Sequence, residues 1–308
     1  MLRGVLIDIV GTVLEGSSAT PIPGAVEAIA RLRAAGIPFR FVSNMSDDCT
    51  ATLLNRLATA GFDVQPHEVF TALSACRSAL EHYQCKKPLL FLSADAKKDF
   101  ASFASPQDAT EIDAVVLGLA PSDFVYDRLQ LAFEALTRQN TTINTAATAT
   151  ADANSSTSTS IPFIAAHAGR YYAESNGKLW LGPGPFVAAL TQATGVEAHI
   201  VGKPSAAFFQ AARQSCRPTE FKGGREVDSS CAAMIVNDDD PLCWIMIGDD
   251  VRDDVQGAIK CGMHGCLVQT GKYRKGDELV VDNQTNFRLA SSIVAAIDRI
   301  VAEINGGA

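Results

Sequence analysis

The chain has 308 residues, 47% of them hydrophobic, and a formal net charge of −8 at pH 7. That is enough apolar material for one large core or two modest ones. An acidic balance with no run of Lys or Arg argues against a binder of nucleic acid or of an anionic membrane. No stretch approaches the roughly 20 apolar residues that span a bilayer. Asp8 interrupts the N-terminal apolar run too early for a signal peptide. The eight cysteines include no CxxC pair, so they read as reduced, mostly buried thiols of a cytoplasmic protein. Cys261-Gly-Met-His264-Gly-Cys266 has no second cluster to complete four zinc ligands, and reads as packing.

In chain order, apolar strand-like runs alternate with segments of helical period, which predicts an α/β fold with a mainly parallel sheet. Strands are expected at 5–9 and 38–43, with helices at 23–35 and about 47–60 that stop at Gly36 and Gly61. Further strands are expected at 88–92, 114–119 and 161–165, with a helix near 124–138. They form a second α/β unit inserted into the first. Residues 141–160 are Thr, Ala, Ser and Asn with almost no large apolar side chain, and are expected to be a disordered surface insertion. A strand at 198–201, a helix at 205–213 and a polar loop at 215–240 follow. Strands at 243–247 and 265–269, and helices at about 253–261 and 291–301, complete the pattern.

Four segments stand where a parallel strand should end, which is where open α/β sheets place their sites. Asp8, followed by Gly11-Thr12, offers a carboxylate that could attack phosphorus and form a covalent intermediate. Ser43-Asn44 offers a hydroxyl and helix-opening amides for phosphate oxygens. Lys203, in Gly202-Lys203-Pro204, offers an ammonium that could neutralise phosphoryl charge. Gly248-Asp249-Asp250-Val251-Arg252-Asp253-Asp254 offers carboxylates for a hard cation. Singly, each has an ordinary reading as a cap or turn. All four in this order, each after an apolar run, point to phosphoryl chemistry.

In that order the motifs resemble those of the haloacid dehalogenase-like phosphatase superfamily, in its NagD-like type with a large α/β cap. The resemblance extends through Val69-Phe70-Thr71-Ala72, Gly169-Arg170-Tyr171-Tyr172, Leu181-Gly182-Pro183-Gly184-Pro185-Phe186 and Thr270-Gly271-Lys272-Tyr273. It implies a doubly wound, Rossmann-like core at 1–74 and 182–308, with the cap at 75–181. It implies Mg2+ held by Asp8, the Val10 backbone carbonyl and Asp249, with Asp254 in the outer sphere or orienting Lys203. Asp8 would be the nucleophile, while Thr12, Ser43, Asn44 and Lys203 would bind the phosphoryl group. His167 and Arg170 are candidate cap contacts to a small phosphorylated substrate, and a homodimer is compatible with the type.

The chain departs from the superfamily at Val10, where the general acid/base Asp is expected. Such a group is typically worth about 10²–10⁴ in rate. Its absence favours substrates with activated leaving groups: pyrophosphate, P–N or aryl phosphates. A catalytically weak phosphate-binding homologue stays open as the alternative. A compact signalling receiver is disfavoured by the long gap between Ser43 and Lys203. No GxGxxG follows a strand, which disfavours a dinucleotide enzyme.

Overall fold

The computed structural model describes residues 2–16, 18–145, 161–173, 178–216 and 240–305. In chain order the main elements are β1 (Gly4–Asp8), α1 (Ala25–Ala34), β2 (Phe39–Ser43), α2 (Thr50–Thr59), β3 (Val69–Thr71), α3 (Ala72–His82), β4 (Pro88–Phe91), β5 (Ala114–Leu117) and α4 (Tyr126–Thr145). They continue as β6 (Phe163–Ala165), β7 (Tyr171–Ala173), β8 (Leu179–Leu181), α5 (Gly184–Thr194), β9 (His199–Ile200) and α6 (Ala206–Gln214). The chain closes with β10 (Trp244–Gly248), a π-helical turn (Val251–Gln256), α7 (Gly257–Lys260), β11 (His264–Val268), β12 (Phe287–Ala290) and α8 (Ile293–Asn305).

Two compact units emerge. The first comprises Met1–Ser43, Leu54–Phe70 and Lys203–Ala308, and the second comprises Asn44–Leu53 and Thr71–Gly202. The six-stranded sheet has the order β12-β11-β10-β1-β2-β3, and β1 runs parallel to both β2 and β10. The chain leaves β1 towards β2 on one side and later returns to its other side as β10. That reversal makes the carboxyl ends of β1 and β10 a topological switch point, the usual place for a ligand in such sheets. β1, β2 and β10 are buried along their whole length, as expected of central parallel strands covered on both faces. Leu6, Ile7, Phe41, Ile245, Met246 and Ile247 carry this burial.

In the second unit a parallel sheet runs β4-β5-β6-β9, with a separate antiparallel hairpin, β7–β8. Its core holds Phe91, Val115, Leu117, Leu136 and Phe163, with Phe124 stacked on Phe186 at 3.8 Å between ring centroids.

The expected mainly parallel α/β architecture is what is observed, and several details differ. The strand expected at 198–201 is β9, which pairs with β6, so the second unit runs on to Gly202 rather than closing at 181. A two-residue strand carries no local mark of its sheet; only the long-range pairing assigns it. Helix α4 continues to Thr145, five residues into the stretch expected to be a loop, and 146–160 lie outside the described residues, as do 217–239. Strands β3, β7, β8 and β12 and helices α3 and α5 were not among the expected elements. Of these, β12 is a partly exposed four-residue strand at the sheet edge, too short to stand out. Among the described residues, no helix is long and apolar enough to cross a membrane.

Candidate active site

Register sets the first distances. Ile7 pairs with Ile247 on one side of β1, and Asp8 pairs with Val42 on the other. Asp8, Ser43 and Asp249 therefore leave their strands at one level. Asp8, Asp249 and Asp254 are all buried, and each offers a carboxylate oxygen within 4.8 Å of the others. Two carboxylates at that separation repel by about 3 kcal/mol at an effective dielectric near 20.

Lys203, 3% exposed, enters this cluster from the turn before α6. Its Nζ donates to Asp8 Oδ1 at 2.5 Å and to Asp254 Oδ1 at 2.6 Å. Burial alone would lower its pKa. The charges of Asp254 and Asp8 overcome that and hold it above the ordinary lysine value.

Asp254 is presented by the π-helical turn where an ordinary helix is expected from about residue 253. The Asp250 side chain accepts from the Arg252 and Asp253 amides, both at 3.0 Å, and opens the turn. The Val255 amide then reaches back five residues to the Asp250 carbonyl, a widening often found at functional sites. It turns Asp254 inward, where Oδ2 accepts from the Asp250 amide at 3.1 Å. With both oxygens engaged, Asp254 is placed to orient Lys203. Burial first, and then the charges of Asp8, Asp249 and Asp250, push its pKa up against the opposing effect of Lys203.

Asp249 is raised by burial and by the Asp8 charge, against the pull of the Lys272 amide. That amide donates to Asp249 Oδ2 at 2.7 Å. The segment 270–274 is a part of the site to which sequence reading assigned no role. The Thr270 hydroxyl donates to the Gly11 carbonyl at 2.6 Å, tying this segment to the loop that follows Asp8. Gly11 has φ +89° and Gly271 has φ +55°, and a Cβ on either would fall 2.0 Å from Asp249 Oδ2. Only glycine allows both the left-handed backbone and the approach to that carboxylate. The signal available in the sequence was Thr270-Gly271 directly after an apolar strand.

Thr12 is fully buried, and among the described residues its Oγ1 has no hydrogen-bond partner. Such a hydroxyl is costly unless a ligand or water satisfies it. Ser43 is buried at the end of β2, and Val10 is half-buried in the loop after Asp8. Asn44, His167 and Arg170 belong to the second unit. There His167 Nδ1 accepts from the Gly169 amide at 3.1 Å and its Nε2 lies 3.4 Å from Ser46 Oγ, while Arg170 is exposed.

Three buried carboxylates set against one ammonium suit a hard, oxygen-seeking cation. This donor set, with the unsatisfied Thr12 hydroxyl four residues after Asp8, fits magnesium.

Residues 5–104 match the family model described as haloacid dehalogenase-like hydrolase, and residues 200–296 match a second model described as HAD-hydrolase-like. Haloacid dehalogenase-like hydrolase domain-containing protein 2 of Rattus norvegicus is 37% identical over 304 residues, covering 99% of this chain and 98% of its own. The chain belongs to the haloacid dehalogenase-like hydrolase family. Phospholysine phosphohistidine inorganic pyrophosphate phosphatase of Homo sapiens is 32% identical over 280 residues, 90% of this chain and 86% of its own. The fold is also that of NagD from Escherichia coli K-12, with a TM-score of 0.72 at 19% identity, over 95% of this chain and 97% of that one. This haloacid dehalogenase-like chain is a phosphatase of the NagD-like type, as its motif order implied.

Proposed function

We propose a magnesium-dependent phosphohydrolase that acts through an aspartyl-phosphate on small substrates with activated leaving groups. The observation that carries this reading is the buried Asp8–Lys203–Asp254 chain beside Asp249, with Val10 two residues beyond the nucleophile. Asp8 attacks phosphorus through the oxygen not held by Lys203, and the bond to the leaving group breaks with its electron pair on that group. Water then attacks phosphorus, frees phosphate and restores the Asp8 carboxylate. Lys203 keeps Asp8 ionised and counters phosphoryl charge, and Asp254 positions Lys203. Ser43 and Thr12 bind phosphoryl oxygens. Asp8, Asp249 and the Val10 carbonyl would hold Mg2+, which when bound supplies charge stabilisation to the phosphoryl oxygens. Thiols without a disulfide partner among the described residues fit a cytoplasmic enzyme.

Val10 brings no proton donor or base, so leaving groups that depart as stable anions are favoured. In the wild type, pyrophosphate and p-nitrophenyl phosphate should be hydrolysed faster than a hexose phosphate, with a burst as aspartyl-phosphate accumulates. Val10→Asp should raise hexose phosphate hydrolysis at least about tenfold, towards the 10²–10⁴ of a positioned acid/base. A wild type that prefers hexose phosphate would sink this reading, and phosphate binding without turnover would favour a non-catalytic homologue.

The carboxylate cluster also predicts a pH dependence. Because Asp249 is held above its ordinary 3.8, at about 7, the folded chain binds a proton that the unfolded chain has released. Without a divalent cation, this group's contribution to stability falls as pH rises through that window. Thermal midpoints at pH 5 and pH 7.5 should show magnesium stabilising the protein more at the higher pH. Equal stabilisation at both would count against the site as its binding place.

A further inference from the structure

We infer that Lys272 is a specificity-determining residue, whose ammonium binds the anionic leaving group of a pyrophosphate-type substrate. The inference rests on the phosphohydrolase reading above and narrows it from activated leaving groups in general to those that carry charge before they leave.

The backbone of the 270–274 segment is held on all sides. The Lys272 amide is on Asp249, the Thr270 hydroxyl is on Gly11, and the Arg274 guanidinium donates to the carbonyls of Gly271, Lys272 and Tyr273 at 3.3, 3.1 and 2.8 Å. The Lys272 side chain differs in being 66% exposed, and it is anchored by an ion pair to Asp250 Oδ2 at 3.0 Å. With its lysine end in solvent and its Asp250 end half-buried, such a pair contributes modestly and the ammonium can exchange partners. The residue is thus a cation on a rigid base, at the edge of the acidic cluster, with a weakly held head.

Its charge has a use there. Lys203 is already shared between Asp8 and Asp254, while the Lys272 ammonium pairs with the neighbouring Asp250 and its amide with Asp249. A substrate bearing a second phosphate brings more negative charge towards three carboxylates. When Asp8 attacks, the P–O bond to that second phosphate breaks and the electron pair departs on it. Phosphate is stable as an anion, so the step needs no proton from residue 10. What it needs is a cation where charge collects, and Lys272 can exchange Asp250 for that oxygen.

The test compares kcat/KM for pyrophosphate and p-nitrophenyl phosphate at saturating magnesium, in the wild type, Lys272→Gln, Lys272→Arg and Asp250→Asn. Lys272→Gln should lower the pyrophosphate value about 10- to 100-fold, the scale of one lost charge-assisted hydrogen bond. The nitrophenyl value should fall several-fold less, and Lys272→Arg should restore most of the ratio. Asp250→Asn, which frees the ammonium, should hold or raise the ratio. An equal fall on both substrates, no fall on either, or a wild type inert to pyrophosphate overturns the inference. So does an Asp250→Asn ratio that drops as Lys272→Gln does, because the pair would then act only by shaping the loop. A wild type that prefers hexose phosphate instead refutes the broader functional reading, whatever Lys272 does.

Discussion

An Asp8→Asn variant is expected to lose turnover by about 10⁴-fold or more, the range found when a covalent nucleophile is removed, and yet to fold. The amide keeps the shape at the end of β1, and Lys203 retains its bond to Asp254 at 2.6 Å. Asp249 and Asp254, both pushed up partly by the Asp8 charge, should relax towards ordinary carboxylate behaviour. In the absence of divalent cations, the thermal midpoint should therefore match or exceed that of the wild type. Acid-quenched wild type should carry a phosphoryl label that the variant lacks. Undiminished turnover, or a label that survives the substitution, would overturn the assignment of Asp8.

Lys203→Met should have the opposite balance, with a large loss in stability as well as in activity. The ammonium is buried against two carboxylates, and deleting one partner of a buried ion pair typically costs about 3–5 kcal/mol. The stranded carboxylates can escape part of this cost by taking up a proton. Their folded pKa values then rise further, so the loss measured by urea denaturation should be greater at pH 8 than at pH 5. Adding Asp254→Asn to Lys203→Met should recover much of the stability but not the activity, which is expected to stay down about 10²–10³-fold without the phosphoryl-binding cation. A single variant within about 1 kcal/mol of wild type at both pH values would show that the cluster does not depend on Lys203.

These effects trace to residues that differ in how plainly they could be read. Asp8, Ser43 and Asp249 each follow a largely apolar run of strand length, and a polar residue at the end of such a run is conspicuous. Lys203 stood out by its place in the order of motifs rather than by its neighbours. The π-helical turn did not stand out. Its sequence, opening on Asp250 and running through Asp253 and Asp254, satisfies the rules for an ordinary helix start, and the widening that turns Asp254 inward brings it to Lys203, 51 positions away. The 270–274 segment is marked in the sequence only by its likeness to the family. Its role depends on Thr270 reaching Gly11, 259 positions away in the chain.

The sequence by itself determined the parallel α/β architecture and the order of the segments that carry Asp8, Ser43, Lys203 and Asp249. Those follow from periodicity, from punctuation by glycine and from residue identity, all of which are local. Tertiary structure alone decided that β9 closes the second sheet, that Asp254 is spent on Lys203, and that Gly11 and Gly271 meet over Asp249. Each of these is a contact between distant segments. Each depends on hydrogen bonds or close packing that only the folded chain brings together, and no window of neighbouring residues contains both partners.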